Sequence, residues 1–247
     1  MTSFDTWFTP RAVPAARLRL ICFPFAGGSA SIFRTWQEEL PRDVEIWPAN
    51  LPGRDLRLRE PPFNRLSLLV RTLADVLVPK LTAPFALYGH SMGALIAFEL
   101  ARELRRRAAP PPQHLFVSGR RAPHLPNPNP PVHTLADPQL IAKLRAFGGT
   151  PEVVLNEPDL LQMFLPIIRA DFGVNEAEPF VREAPLDRPI SAFGGEQDDR
   201  ATATELEAWG EHTSARFEKA MFPGDHFFVT KARGGLLRAI AQTLSAS

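Results

Sequence analysis

Little in this sequence points towards sulfur chemistry, membranes or nucleic acid. A single cysteine, Cys22, excludes an internal disulfide and suits a reducing compartment. No apolar run approaches the ~20 residues needed to span a bilayer. The N-terminal stretch lacks the basic-then-apolar layout of a secretory signal, so the expected location is the cytoplasm. A formal net charge of +1 offers no field for nucleic acid or an anionic membrane surface. There is no internal repeat and no convincing cluster of metal ligands, so neither a metal nor a redox cofactor is expected.

What is present is ample for one core: 247 residues, 45% of them hydrophobic and 22% charged, which reads as soluble and globular. Proline is the outlier, at 26 residues. The run Pro123-His124-Leu125-Pro126-Asn127-Pro128-Asn129-Pro130-Pro131 can be neither helix nor central strand, and reads as a stiff extended connector.

Short apolar segments at 17–23, 44–49, 85–88 and 114–118 read as strands. Leu66, Leu69, Leu73, Leu77 and Leu81 recur at helical spacing, which predicts an amphipathic helix over 64–81. Residues 94–107 form another helix, and a third is expected from Ser31 onward, carrying Phe33, Trp36 and Leu40. The alternation predicts an α/β fold with a mostly parallel sheet and helices on both faces. Strands buried on both sides need be continuously apolar, as these are. The rhythm breaks over 124–185, where helix-like segments at 137–147 and 157–168 lie among prolines and glycines. This predicts a helical lid inserted between core segments 1–123 and 186–247. Strands resume at 189–195 and 214–222, and Thr202 with Glu205 forms a capping box that opens a helix over 202–212. A closing helix spans 227–244, weakened by Gly234-Gly235.

The chemistry centres on Gly89-His90-Ser91-Met92-Gly93. The G-x-S-x-G pattern alone is weak, but here it follows an apolar strand and opens an apolar helix, the setting of a nucleophile elbow. A helix N-terminus beside Ser91 supplies free N–H groups and partial positive charge. A serine hydroxyl needs a base, and in this fold the order along the chain is serine, acid, histidine. Of six histidines, only His212 and His226 follow any plausible acid. His226, in the turn Pro223-Gly224-Asp225-His226 after the last strand, is the better base, since such sheets gather their site at strand C-termini. Glu196, Asp198 and Asp199 follow the preceding strand. Asp198 is chosen, with Asp199 as the alternative. Asp225 reads as a turn residue, and Asp187 lies at the wrong end of its strand. The oxyanion donors would be the Met92 N–H and one from Pro24-Phe25-Ala26-Gly27-Gly28, Phe25 first and Ala26 second.

Five segments, in order, carry a resemblance: Phe23-Pro24-Phe25-Ala26-Gly27-Gly28, Leu51-Pro52-Gly53-Arg54, Tyr88 through Gly93, Gly194-Gly195-Glu196-Gln197-Asp198, and Pro223 through Phe228. Over nearly its whole length the chain resembles the type II thioesterases of polyketide synthase and nonribosomal peptide synthetase systems, within the α/β-hydrolase superfamily. The resemblance supports Asp198 over Asp199 and the lid at 124–185. It implies hydrolysis of acyl groups from the phosphopantetheine arm of acyl or peptidyl carrier protein domains, an editing role, with that arm supplied by the partner. Animal medium-chain fatty acyl thioesterases are a similar variant.

The triad alone leaves a carboxylesterase or amidase open, since one scaffold hosts many chemistries. A non-catalytic protein of the same shape is a further alternative. Met163, Phe164 and Phe172 either line an acyl channel or form the lid's own core. Arg102, Arg105, Arg106 and Arg107 either meet an acidic carrier or complement a helix C-terminus.

Overall fold

A computed structural model describes residues 3–245. Its strands are β1 Leu18–Phe23, β2 Val44–Pro48, β3 Phe85–His90, β4 His114–Ser118, β5 Ile190–Gly195 and β6 Phe217–Phe222. Its α-helices are α1 Phe4–Trp7, α2 Leu66–Leu77, α3 Met92–Arg106, α4 Asp137–Phe147, α5 Glu152–Asn156, α6 Pro158–Glu176, α7 Ala203–Glu207, α8 Phe228–Lys231 and α9 Arg233–Ser245.

The six strands form one sheet in the order β2-β1-β3-β4-β5-β6, and every pairing is parallel. Every residue of β3, β4 and β5 is buried. That double-sided burial is the physical reason for their unbroken apolar runs. One face is covered by α2 and α3 through Leu69, Leu73, Leu100 and Leu104. The other is covered by Phe33, Trp36 and, from α9, Leu236, Leu237, Ile240 and Leu244.

Three expected elements differ in detail. From Ser31 the chain makes two short 3-10 turns, Ala30–Phe33 and Trp36–Glu38, rather than a helix. The buried Phe33 and Trp36 still reach the core, so the apolar spacing was right and the element type wrong. The segment after Thr202 is α7 followed by a 3-10 turn, Ala208–His212, although the capping box forms as expected: Thr202 N–H donates to Glu205 at 2.9 Å. The closing helix is broken at Ala232 into α8 and α9, beside Gly234-Gly235.

Residues 124–185 hold α4, α5 and α6, and among the described residues no strand. They carry a separate small core of Val132, Leu140, Leu144, Leu155, Leu165 and Ile168. Helix α6 runs to Glu176, eight residues past the apolar periodicity that announces it. That extension is held by polar contacts to the sheet domain. Asp171 reaches Arg54, Asn175 accepts from Arg120, and Glu178, just beyond the helix, accepts from Ser67.

Candidate active site

In an all-parallel sheet the strand C-termini share one edge. Here β1 and β3 are neighbours, yet the chain leaves them for opposite sides of the sheet order, which opens a crevice between the following loops. The loop Pro24–Gly28 follows β1 and Ser91 follows β3. The turn bearing Asp198 follows β5, and His226 follows β6. Sheet order, not sequence proximity, brings them together.

Ser91 caps α3 with φ 55° and ψ −112°, a left-handed conformation that a non-glycine residue adopts only under strain. Its N–H is held by the Ser118 carbonyl at 2.7 Å. The turn leaves no room beside it. A Cβ at Gly89 would overlap the Gly93 carbonyl, and one at Gly93 would overlap the Phe23 carbonyl. Both glycines are therefore required by close backbone approach.

His226 is 6% exposed and Asp198 5%. His226 Nδ1–H donates to Asp198 Oδ2 at 2.8 Å, which leaves Nε2 as the free ring nitrogen. The other Asp198 oxygen accepts the Arg200 N–H at 2.9 Å. The neighbouring acids Glu196 and Asp199 are exposed, so burial separates Asp198 from them. Asp225 is a turn residue, as expected: it accepts from Phe227 N and from Lys231 Nζ, and the lysine holds its carboxyl below the usual range. Asp187 is exposed and pairs with Arg188.

His90 has a role that the sequence did not reveal. It is fully buried, and burial, then the charge of His226, push its pKa well down, so it stays neutral. Its Nε2–H donates to the His226 carbonyl at 2.9 Å, while Nδ1 accepts from Ser118 Oγ at 2.9 Å. The residue before the serine thus fixes the backbone of the distant histidine.

The N–H groups of Phe25, Ala26 and Met92 have no protein acceptor among the described residues, whereas Gly27 N–H donates to Asp171 Oδ2 at 2.7 Å. Asp171, 2% exposed, also receives both Arg54 guanidinium nitrogens, at 2.7 and 2.8 Å. Arg54 further donates to the Gly28 carbonyl at 3.0 Å. A carboxylate on α6 and an arginine from the Leu51-Pro52-Gly53-Arg54 turn therefore clamp the loop from opposite sides. Asp171 was not singled out from sequence, because it lies where the helical pattern had ended.

A cavity of about 870 Å³ opens at this edge. Ser91, His226, Gly119, Arg120, Phe147 and Phe172 are among its walls. Of the three channel candidates, Phe172 lines it. Phe164 packs against the lid's own core, and Met163 is 44% exposed, and neither lines the cavity. Of the two readings left open, Phe164 takes that of the lid's own core, Phe172 meets both, and the exposed Met163 meets neither. Arg102, Arg105, Arg106 and Arg107 all form ion pairs within the chain, with Glu99, Glu103, Glu183 and Asp75, so they make no free basic patch. Cys22 is buried and its thiol pKa is pushed up by that burial. Among the described residues no group of three or more His, Cys, Asp or Glu could hold a metal ion.

The profile of the thioesterase domain family matches residues 18–246. The chain belongs to that family. This thioesterase is 42% identical over 245 residues to the gramicidin S biosynthesis protein GrsT of Aneurinibacillus migulanus, covering 99% of this chain and 96% of that one. It is 45% identical over 239 residues to a Brevibacillus parabrevis protein named linear gramicidin dehydrogenase LgrE, covering 96% and 91%. The second name describes another chemistry, and the thioesterase carries no two glycines in the G-x-G spacing that opens a dinucleotide fingerprint. Among solved structures it is similar to RedJ, a thioesterase of the prodiginine pathway in Streptomyces coelicolor, with TM-score 0.86 and 44% identity over 92% of this chain and 86% of that one. The parallel α/β sheet expected from the strand rhythm, and the α/β-hydrolase fold implied by the resemblance, are those of these neighbours. Among the described residues no helix is long and apolar enough to cross a membrane.

Proposed function

We propose that the thioesterase removes acyl or aminoacyl groups from the phosphopantetheine arm of carrier protein domains, through an acyl-Ser91 intermediate, to clear stalled or misprimed synthase modules. The observation that carries the mechanism is the buried 2.8 Å bond from His226 to Asp198, at the same cavity as the strained Ser91. The carrier-bound substrate is supported by GrsT, named for gramicidin S biosynthesis, and by the similar structure of YbtT, named as a type II thioesterase of the yersiniabactin NRPS/PKS pathway. No metal or redox group is required by this reaction, and the pantetheine arrives with the partner.

Ser91 Oγ attacks the thioester carbonyl carbon as His226 Nε2 takes its proton. Asp198 holds the imidazole tautomer and stabilises the imidazolium. The carbonyl π pair moves onto oxygen, received by the Met92 N–H and by that of Phe25 or Ala26. Collapse breaks the C–S bond, and the thiolate leaves with the proton from His226. A thiol has a pKa near ~8.5, so it departs with less acid assistance than an amine. Water, deprotonated by His226, then cleaves the acyl-enzyme to a carboxylic acid and free Ser91. The lid, residues 124–185, would cover the acyl group during both steps.

The deciding experiment is mass spectrometry of acyl-loaded carrier protein after incubation with wild type and Ser91→Ala. Unloading by wild type alone is expected. Faster turnover of matched oxygen esters than of pantetheine thioesters would instead favour a carboxylesterase. Equal fluorophosphonate labelling of wild type and Ser91→Ala would remove Ser91 as the nucleophile.

A further inference from the structure

One turn of the lid touches residues that follow both the acid and the base. Helix α4 ends at Phe147, and Gly148 caps it in the left-handed region with φ 68°. Two residues after Asp198, the Arg200 guanidinium donates to the Phe147 carbonyl and lies over the Phe147 ring at 4.4 Å. One residue after His226, the Phe227 ring fills the space beside Gly149, where a Cβ would stand 2.2 Å from the Phe227 Cζ. The same guanidinium lies 5.7 Å from the centre of the Phe227 ring. An arginine and a phenylalanine from two loops of the sheet edge therefore close on one three-residue turn.

Both residues also reach the catalytic groups. Arg200 N–H donates to Asp198 Oδ1 at 2.9 Å, the oxygen that His226 does not use, so the Arg200 backbone helps set the rotation of that carboxylate. The Arg200 carbonyl accepts a longer bond, 3.4 Å, from Arg121. Burial lowers the Arg200 pKa, and the charges of Asp198, Asp199 and Asp225 act against that shift. Phe227 meets the His226 ring edge-on at 5.4 Å and the Phe25 ring at 5.3 Å, and Phe25 is one of the candidate oxyanion donors. On the lid side, Phe147 packs against Phe172 of α6 at 5.8 Å.

We propose that Arg200 and Phe227 are positioning residues that couple the lid to the triad: Asp198 and His226 hold their working alignment while the Phe147–Gly149 turn is seated on Arg200 and Phe227, and lose it when the turn lifts. The inference rests on the Ser91-hydrolase reading above. Neither residue takes part in bond making. Misplacing a catalytic group by about 1 Å costs on the order of 10²-fold in rate, so an unseated turn slows chemistry rather than weakening binding.

The test pairs two measurements with two variants. The first measurement is the rate at which Ser91 Oγ displaces fluoride from diethyl fluorophosphate, a small reagent that needs the triad and not the acyl cavity. The second is kcat and KM for acetyl- and octanoyl-pantetheine. Gly149→Ala drives a methyl group into the Phe227 ring, and Arg200→Met removes the donor to the Phe147 carbonyl. Each should lower Ser91 labelling, and kcat for both acyl chains, by roughly 10- to 100-fold with KM within about threefold. Adding Phe227→Leu, which shortens the ring, should restore about half of the logarithmic loss in Gly149→Ala. Arg200→Lys, which keeps a donor, should stand between wild type and Arg200→Met. Melting temperatures establish that the variants fold, and should one not fold, the other carries the same test. Labelling at the wild-type rate in either folded variant overturns the coupling. So does a change confined to KM or to octanoyl, which would make the turn a cavity wall only. An equal loss in Gly149→Ala with and without Phe227→Leu overturns the part given to Phe227. If wild type is labelled but hydrolyses no thioester, the parent reading fails, while the labelling rates still decide the coupling.

Discussion

The sheet edge and the lid contribute to one cavity by different physical means. At the edge, Ser91 and Asp198 follow the fully buried strands β3 and β5, and His226 follows β6, the half-buried end strand that pairs in parallel with β5. In the lid, a six-residue apolar core holds three helices together, and a few polar contacts tie them to the sheet. On the reading proposed above, the first arrangement would set the chemistry and the second would set what is accommodated. Mutations at the edge should therefore change kcat, and mutations in the lid away from the Phe147–Gly149 turn should change selectivity and local stability.

The largest effects test the edge. Ser91→Ala or His226→Ala should lower kcat on an acyl-pantetheine by roughly 10⁴-fold or more, with the melting temperature little changed. Asp198→Asn keeps the shape but offers His226 a donor where it needs an acceptor. Roughly 10³- to 10⁴-fold loss in kcat is expected, and near-normal turnover would place the acid elsewhere.

The junction between the regions comes next. Asp171→Ala leaves Arg54 buried without its carboxylate, so about 3–5 kcal/mol of stability should be lost in denaturant unfolding. The double variant Asp171→Ala with Arg54→Met should recover part of it. Each single loss adding fully in the double variant would mean the two groups do not act as a pair.

A smaller effect separates the two regions by pH. Burial, then the charge of Arg216, lowers the pKa of His114 to about 4, and its Nε2 meets Ser191 Oγ at 2.8 Å. The folded protein thus binds this proton less readily than the unfolded chain. The stability this gives is fully present above the unfolded pKa of about 6.5 and is lost as pH falls towards about 4. Melting scans across that window should show the fall, and His114→Gln should reduce it in part, because burial also lowers the pKa of His212 to about 4 and that of His90 well down. The smallest effect is Met163→Ala, on the exposed face of α6, which should alter stability by under about 0.5 kcal/mol and leave acyl preference unchanged.

The sequence was legible where the physics is local or periodic. Continuous apolar runs marked the buried strands, the strand-to-helix setting marked Ser91, and chain order together with a place after the last strand singled out His226 as the candidate base. Asp198 was narrowed only to a turn by its position, and burial separates it from Asp199. The candidate oxyanion loop, Pro24–Gly28, was read from its place after β1. Polar contacts over long separations were not legible: Asp171 lies 117 residues from Arg54, and no spacing rule links them. His90 was set aside because it adjoins Ser91, although its ring reaches the His226 backbone. The rotation of α6, which turns Phe172 inward and Met163 outward, depends on contacts at the helix's far end that periodicity does not carry.

The Arg54–Asp171 pair also divides the lid into parts that can and cannot be exchanged. Helix α6 shares a carboxylate with the loop beneath it, so a chimera that replaces α6 alone would strand a buried guanidinium. The stretch from α4 to α5 carries no such obligation to Arg54. Anyone grafting a lid from a relative to change the product spectrum should therefore move α4 and α5 as a cassette, and carry residues 54 and 171 as an inseparable pair.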